Sequence, residues 1–331
     1  MIELVIGIII VALIFDLLNG MNDAANSIAT VVSTRVLSPL QAVSWAAFFN
    51  MFALLIFGVK VAETIGTGIV NANVINEYTI LAALIGAIIW AALATMYGMP
   101  ISISHALIGG LVGAGVATAG FSVVITSGLY KILLFMVVSP VLGVILGFLF
   151  MALISRKVAK VSPVKLTKVF GRLQLISAAA YSIGHGGNDA QKTIGIITVL
   201  LFTTGYLGTT FYIPLWVILL SYSVIALGTL LGGWKVIKTM GVRITRLTTV
   251  HGFSAETVGS VVLFTMTFLG IPVSSTHVIA GSIIGVGSTR GRTSVRWGVT
   301  RNIVSSWILT IPITGTIAMV SYSFLVLLGV V

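Results

Sequence analysis

The chain has 331 residues, of which 58% are hydrophobic and only 8% are charged, and it contains no cysteine. A soluble domain of this length cannot bury so much apolar surface, so the composition excludes a soluble protein and predicts a polytopic membrane protein embedded in the lipid bilayer. The net charge of +11 does not indicate a partner nucleic acid, because a nucleic-acid interface requires a soluble basic domain and none is available.

Ten hydrophobic runs follow one another along the chain, separated by short connections. They cover residues 2–33, 39–59, 79–97, 99–118, 130–154, 173–203, 209–233, 247–269, 271–288 and 302–330. Because about 20 apolar residues form a helix that spans the hydrocarbon core, we predict an all-α fold with five membrane segments in each half. If runs 99–118 and 271–288 re-enter the membrane on the same side, each half has one crossing fewer.

Basic residues predict the orientation of the chain. Fourteen of the 18 Lys and Arg residues lie in the stretches 156–172, 235–246 and 290–301. Short loops rich in Lys and Arg mark the cytoplasmic side of a membrane. We therefore expect a multi-pass cell (plasma) membrane protein with these three loops in the cytoplasm and both termini outside.

A polar stripe interrupts the first hydrophobic run. Its members lie on one face of a helix and are Asp16, Asn19, Asp23, Asn26 and Ser27, with Asn22 beside them. An ionisable group within a membrane segment is a functional-site hypothesis because its burial is costly without a partner or an ion. Gly20 permits a break in the helix, so we expect a half-helix to begin near Asp23.

The same pattern recurs in the second half after a shift of 166 residues. The matched residues are Gly20 with Gly186, Asn22 with Asn188, Asp23 with Asp189, Ala24 with Ala190 and Ile28 with Ile194. The stripe recurs as Ser182, His185, Asp189, Lys192 and Thr193. Two polar faces, one from each half, are therefore predicted to meet inside the protein.

A second duplicated block lies later in each half. The stretch 98–105 matches 270–277, with Pro100 opposite Pro272, and each block is followed by closely spaced glycines. Proline interrupts a helix, and Ser102 or Ser274 can cap the helix that follows. Glycines at four-residue spacing let helices approach closely, which suits internal packing or a homodimer equally well.

The duplication predicts the domain organisation. Residues 1–154 form one membrane repeat, 155–172 a basic cytoplasmic linker and 173–331 a second repeat. Five segments per repeat is an odd number, so the second repeat is inserted upside down relative to the first. Inverted repeats with Gly- or Pro-interrupted helices at the midplane are typical of secondary transporters.

The paired blocks at Gly20–Ser27 and Gly186–Thr193 resemble the signature of the inorganic phosphate transporter (PiT) family, and the blocks at Pro100–His105 and Pro272–His277 resemble that family's second element. The likeness extends over nearly the whole chain. It implies uptake of inorganic phosphate coupled to sodium or protons. Some relatives carry a glutamate where Asn50 stands, opposite Glu256 in the other half, so the two halves need not bind cations identically.

The residue chemistry suits phosphate bound together with cations. Four half-helix N-termini, near Asp23, Ser102, Asp189 and Ser274, would point N–H groups and positive dipole ends at the anion. The predicted phosphate donors are Ser102, Ser104, Gln191, Thr193, Ser274, Ser275 and Thr276. The predicted Na⁺ ligands are Asn22, Asp23 and Asn26 in one site and Asn188 and Asp189 in a second, and Ser27, Lys192, Glu256 and Asn50 are accessory candidates.

Charge explains why the cations are needed. Asp23 and Asp189 add two negative charges to those of phosphate, and Lys192 is the only basic side chain within the motifs, so the loaded site would carry about −2 to −3 without cations. The leading hypothesis is thus Na⁺–phosphate symport by alternating access, without a resident cofactor.

Alternatives are proton coupling, another oxyanion such as sulfate, and a passive anion channel, which has no need of paired carboxylates. The chain carries no metal cluster, nucleophile–base pair or nucleotide motif, so we do not expect an enzyme.

Overall fold

The computed structural model describes residues 2–71 and 74–329 of the chain, which are almost entirely helical. In chain order the α-helices are α1 (Ile2–Ser33), α2 (Pro39–Phe52), α3 (Lys60–Thr67), α4 (Glu77–Tyr97), α5 (Ile103–Ala119), α6 (Thr126–Val158), α7 (Pro163–Thr203), α8 (Leu215–Leu231), α9 (Trp234–Lys238), α10 (Thr249–Phe268), α11 (Ser275–Ser288) and α12 (Trp297–Leu327). A π-helical turn, Thr239–Arg243, extends α9. The all-α prediction is confirmed.

Within residues 2–71 and 74–329, four helices are long and apolar enough to cross a membrane unaided: α1, α4, α6 and α12. Two more spans result if each bent pair, α2 with α3 and α8 with α9, counts as one. The remaining predicted runs correspond to α5 and α11, which have only 17 and 14 residues, and to α7 and α10, which carry many buried polar side chains. Most residues of α5 and α11 are buried, so these short helices lie in the interior of the protein.

The chain breaks at both Pro-containing blocks, as predicted. Gly98 ends α4 with a φ of 70°, and Gly270 follows α10 with a φ of 67°. This left-handed conformation favours glycine because it lacks a Cβ. Ser102 and Ser274 then cap α5 and α11 by accepting hydrogen bonds from the backbone N–H groups of His105 (3.2 Å) and His277 (3.3 Å).

The expected breaks at Gly20 and Gly186 were wrong, because α1 and α7 run without interruption through both motifs. Asp23 and Asp189 therefore lie in mid-helix, and two of the four predicted half-helix N-termini do not exist. Each glycine instead lets another helix approach. Cα of Gly228 in α8 lies 3.0 Å from where a Gly20 Cβ would stand, and Cα of Asn50 in α2 lies 2.8 Å from the corresponding point at Gly186.

Two bends that the sequence did not predict stand at matching places in the two halves. The α2–α3 pair, taken to Leu55, bends by 85°, and the α8–α9 pair bends by 64°. A lysine at each bend bonds a helix end of the opposite half: Lys60 Nζ donates to the Phe268 carbonyl at 3.4 Å, and Lys235 Nζ to the Met96 carbonyl at 2.9 Å. A cation at a helix C-terminus is favourable for the helix dipole.

The closely spaced glycines of α5 and α11 pack against helices of the same chain. A Cβ at Gly113 would lie 2.6 Å from Cα of Gly315 in α12, and one at Gly281 would lie 3.0 Å from Cα of Pro140 in α6. The last helix of each half thus packs closely against the other half, and the glycines serve internal packing.

The predicted linker 155–172 is largely helical, since α6 ends at Val158 and α7 begins at Pro163. The three basic stretches share one hydrophobic cluster, to which they contribute Phe170, Ile244 and Val295. Arg290 Nη1 also donates to the Arg246 carbonyl at 3.0 Å. The basic stretches therefore border the same region of the molecule.

Candidate functional site

The two motif carboxylates meet where α1 and α7 pack against each other. Ser275, the first residue of α11, lies between them: its Oγ is 2.6 Å from Asp189 Oδ2 and 3.3 Å from Asp23 Oδ2. Both carboxylates are buried, with 2% and 0% of Asp23 and Asp189 exposed. The predicted encounter of the two polar stripes is thus observed, and α11 joins it.

The N-terminus of α11 is bonded chiefly to the motif of the first half. Thr276 Oγ1 donates to Asp23 Oδ1 at 3.1 Å, and Asn26 Nδ2 donates to Thr276 Oγ1 at 3.0 Å and to Ser275 Oγ at 3.3 Å. Because the hydroxyls come from residues 275–276 and their partners from α1, this contact joins the two halves of the chain.

The N-terminus of α5 is bonded to the motif of the second half. Lys192 Nζ in α7 donates to Ser104 Oγ and pairs with Asp189 Oδ1, and it donates to the Val273 carbonyl at 3.1 Å. Lys192 is only 1% exposed, so its charge and that of Asp189 are held together away from solvent. A buried pair of this kind is favourable only when further hydrogen bonds complete it, as they do here.

A histidine completes the centre of the site. His185 Nε2 lies 3.0 Å from Asp189 Oδ2 and 3.9 Å from Asp23 Oδ2, and its Nδ1 lies 3.2 Å from Asn50 Oδ1. Ligand atoms of His185, Asp23 and Asp189 all lie within 4.8 Å of one another, a grouping that can hold a metal ion. The sequence placed His185 on the polar stripe but assigned it no role.

Three asparagines present buried carbonyl oxygens that have no hydrogen-bond partner among the described residues. These atoms are Oδ1 of Asn22, Asn26 and Asn188. The amide nitrogens are fixed: Asn22 Nδ2 donates to Thr95 Oγ1 at 2.9 Å, and Asn188 Nδ2 donates to Thr267 Oγ1 at 3.1 Å. A buried acceptor without a donor is costly, and a hard cation with oxygen ligands removes that cost.

Some predicted phosphate donors are engaged elsewhere. Gln191 Oε1 accepts from the backbone N–H groups of Val61 (2.9 Å) and Ala62 (3.2 Å) at the start of α3, and its Nε2 donates to the Gly187 carbonyl at 2.6 Å. Its amide therefore caps α3. Thr193 Oγ1 donates to Asp16 Oδ1 at 2.8 Å, which brings a further buried carboxylate close to the site.

Ser27 and Asn50 border the site. Ser27 is buried, and its Oγ has no hydrogen-bond partner in the part of the chain that the structure describes. Asn50 Nδ2 donates to Thr229 Oγ1 at 2.8 Å, so Asn50 links α2 to α8 while its oxygen faces His185. Tyr181, which the sequence did not single out, donates from its hydroxyl to the Ser275 carbonyl at 2.8 Å and fixes the start of α11.

Glu256 forms a separate polar cluster with α1 and α7. Its Oε1 accepts from Thr30 Oγ1 at 2.5 Å and from Gln174 Nε2 at 3.0 Å, and its Oε2 accepts from Ser177 Oγ at 2.5 Å. Glu256 is fully buried in α10. Glu256 and Asn50 therefore have different partners in the structure. Glu256 lies in α10 and Asn50 in α2, and these helices are not equivalent elements of the two halves.

The chain is similar to known proteins over nearly its whole length. The model of the phosphate transporter family matches residues 19–318. A "probable low-affinity inorganic phosphate transporter" of Rhizobium meliloti (strain 1021) is 53% identical, with 96% of each chain covered. One of the same description from Bacillus subtilis (strain 168) is 40% identical, with 97% of each covered. A solved structure described as "the sodium-dependent phosphate transporter" superposes with a TM-score of 0.90 at 29% identity, covering 98% of this chain and 99% of that one.

Proposed function

This chain belongs to the phosphate transporter family, whose members are transporters and not enzymes, and we propose that it imports inorganic phosphate. The proposed import is symport with Na⁺ and proceeds through alternating access. The observation that carries the proposal is the buried contact of Asp23 and Asp189 through Ser275, beside the N-termini of two interrupted helices. Such helix ends bind anions, and the paired carboxylates demand cations.

Phosphate is proposed to bind between the N-termini of α5 and α11. The backbone N–H groups and hydroxyls of Ser104, Ser275 and Thr276 are the nearest donors, and Ser102 and Ser274 hold the two helix ends in place. In the structure the hydroxyls of Ser275 and Thr276 donate to the site's own carboxylates, and that of Ser104 accepts from Lys192. An incoming phosphate must compete with Asp23 for Ser275 and Thr276, and a cation on Asp23 would release them.

Sodium is favoured as the coupling ion by the three buried asparagine oxygens, since Na⁺ takes several oxygen ligands whereas a proton needs only one acceptor. The similar structure whose description names sodium dependence supports the same choice. Proton coupling is the second candidate, because His185 lies within 3.0 Å of Asp189 and can carry a proton between the carboxylates.

Alternating access is supported by contacts within the half 1–154 that recur at matching places within the half 173–331. Asn22 bonds Thr95 as Asn188 bonds Thr267, and isolated bridges pair Val70 with Val124 and Thr245 with Val295. Because the site is buried, one half must move against the other to admit phosphate.

The basic stretches that share one hydrophobic cluster are proposed to face the cytoplasm, which places both termini outside the cell membrane.

Uptake of radiolabelled phosphate into proteoliposomes tests this function. With purified protein, an inward sodium gradient is expected to drive phosphate accumulation above the equilibrium level. An inward proton gradient alone is expected to drive no such accumulation. Accumulation with the proton gradient alone would establish the second candidate instead. Uptake that ignored both gradients would contradict symport, and inhibition by excess sulfate but not by phosphate would contradict the substrate.

Replacement of Thr95 by valine is expected to weaken sodium activation. Thr95 Oγ1 accepts from Asn22 Nδ2 at 2.9 Å and so orients the amide whose oxygen is a proposed Na⁺ ligand. Loss of a partner that orients a metal ligand typically costs about 10–100-fold in affinity. The sodium concentration for half-maximal phosphate uptake should rise within that range.

Thr265→Val is the matched control for this variant. Thr265 is exposed on α10, and its hydroxyl donates to the Val261 carbonyl at 2.8 Å just as that of Thr95 donates to the Ala91 carbonyl at 2.8 Å. The control should therefore respond to sodium like the wild type. An unchanged sodium response in Thr95→Val would remove Asn22 from the cation site.

A further inference from the structure

Lys192 stands where the first half of the site has an amide. Under the 166-residue shift that superimposes Asp23 on Asp189, Lys192 falls on Asn26. Asn26 is neutral, and among the described residues the only ion-pair contact of Asp23 is with His185, at 3.9 Å. Asp189, in contrast, is paired directly with an ammonium group. At the position three residues after the motif aspartate, the two halves therefore differ by one fixed positive charge.

The ammonium of Lys192 has the surroundings of a bound cation. Its three N–H donors are matched by three oxygens from three parts of the chain: Asp189 Oδ1 in α7, Ser104 Oγ in α5 and the Val273 carbonyl before α11. A carboxylate, a hydroxyl and a backbone carbonyl are also the ligand types that Na⁺ takes at interrupted helices. The side chain is buried and these oxygens use all of its hydrogen-bonding capacity.

The first half offers oxygen ligands of the same kind, but Asn26 stands at the position that Lys192 occupies in the second half. Oδ1 of Asn22 and Oδ1 of Asn26 are buried beside the carboxylate of Asp23 and have no hydrogen-bond partner within the described ranges. No lysine or arginine of the described chain forms an ion pair with Asp23. An external cation is thus needed on this side of the site, and on the other side the chain supplies its own.

We infer that Lys192 is a built-in cation that replaces a co-transported Na⁺ at Asp189, so that the Na⁺ bound within the motifs lies at Asp23 with Asn22 and Asn26. This inference rests on the proposed sodium symport and refines it. Asp189 and Lys192 then form an ion pair within the protein, and each transported phosphate requires one sodium ion fewer than a pair of equivalent sites would.

The consequence is electrical as well as chemical. An Na⁺ ion enters with phosphate and leaves on the other side, whereas the charge of Lys192 stays with the protein through every cycle. Each phosphate is therefore accompanied by one positive charge fewer, and the membrane potential contributes correspondingly less to accumulation. In return, the Asp189 half is neutralised at any sodium concentration.

Lys192→Asn, which places the side chain of Asn26 in the second half, tests the inference. Purified variant and wild type are reconstituted into proteoliposomes, and influx of labelled sodium and labelled phosphate is measured in parallel. The variant is expected to take up about one more Na⁺ per phosphate and to depend more steeply on sodium concentration. If the variant takes up phosphate with the wild-type sodium-to-phosphate ratio, the inference is overturned. If the variant also needs a higher phosphate concentration for half-maximal uptake, Lys192 binds phosphate instead.

Binding is measured where transport by Lys192→Asn is too slow. Equilibrium binding of labelled sodium to monodisperse protein, with phosphate present, should show about one more Na⁺ per chain in the variant than in the wild type. An equal count would overturn the inference. Lys192→Gln, which keeps more of the side-chain length, provides the same comparison if Lys192→Asn does not yield folded protein.

Two comparisons separate the inference from the function on which it rests. Lys131→Asn removes the same charge from an exposed position on α6 and should leave the ratio at the wild-type value. If phosphate uptake by the wild type is independent of sodium, the proposed sodium symport is contradicted. If wild-type uptake needs sodium and Lys192→Asn keeps the same ratio, only the inference fails.

Discussion

Asp23→Asn is expected to abolish sodium-driven phosphate uptake while leaving the protein folded. The amide has the shape of the carboxylate and can still accept from Thr276, which lies 3.1 Å from Asp23 Oδ1. It lacks the negative charge that holds the proposed cation. Removing one partner from a buried charge pair costs about 3–5 kcal/mol, which corresponds to a loss of roughly 100-fold or more in sodium affinity.

The measurement is initial phosphate uptake into proteoliposomes over a range of sodium concentrations, with binding of labelled sodium as a second readout. Asp189→Asn should lose coupled uptake as well, because Asp189 pairs with Lys192 and accepts from Ser275 at 2.6 Å. Glu63→Gln, which removes a carboxylate from an exposed position on α3, is the control and should transport normally. Sodium-driven uptake by Asp23→Asn within a few-fold of wild type would contradict the proposed site.

Gly20→Leu is expected to destabilise the protein severely. A Cβ at this position would collide with the Ile225 carbonyl and lie 3.0 Å from Cα of Gly228 and from the backbone N of Thr229. Overpacking typically costs about 1–3 kcal/mol, and here the obstacle is the backbone of α8, which cannot rotate away as a side chain can. The expected effect therefore lies at or above the upper end of that range.

Thermal denaturation followed by size-exclusion chromatography in detergent measures this effect. The variant should lose monodisperse protein at a lower temperature than the wild type, or give none at all. Gly7→Leu is a control in the same helix, since a Cβ there would meet nothing within 4 Å. Equal thermal stability of Gly20→Leu and Gly7→Leu would show that the close approach of α1 and α8 does not stabilise the fold.

The sequence predicted the helices well because each depends on local properties. Hydrophobic runs place most of the helices to within a few residues, and Pro100 and Pro272 predict the two interruptions that the structure has. A proline acts on its own helix wherever that helix lies. Glycine does not: Gly20 was expected to break α1 and instead lies in contact with α8. Its effect depends on a neighbour that the local sequence does not reveal.

The repeat predicted that the polar faces of Asp23 and Asp189 would meet, because buried polar groups in an apolar protein need polar partners. The duplication could not show the bonds that each side chain makes. Gln191 matches the chemistry of a phosphate donor, yet its amide caps α3, which begins 131 residues earlier, at Lys60. His185 lies on the predicted stripe, but its place between the carboxylates follows from the way α1 and α7 pack.

By itself, therefore, the sequence determined that this is a helical membrane protein with two matched halves and paired carboxylates, since hydropathy, proline and duplication act through the chain's own periodicity. The tertiary structure decided which polar groups of the site are already bonded and which are left for a ligand. The reason is that hydrogen bonding in a buried site is a balance between donors and acceptors from several helices. Asp189 is paired with the ammonium of Lys192, whereas the amide oxygens beside Asp23 have no hydrogen-bond partner among the described residues.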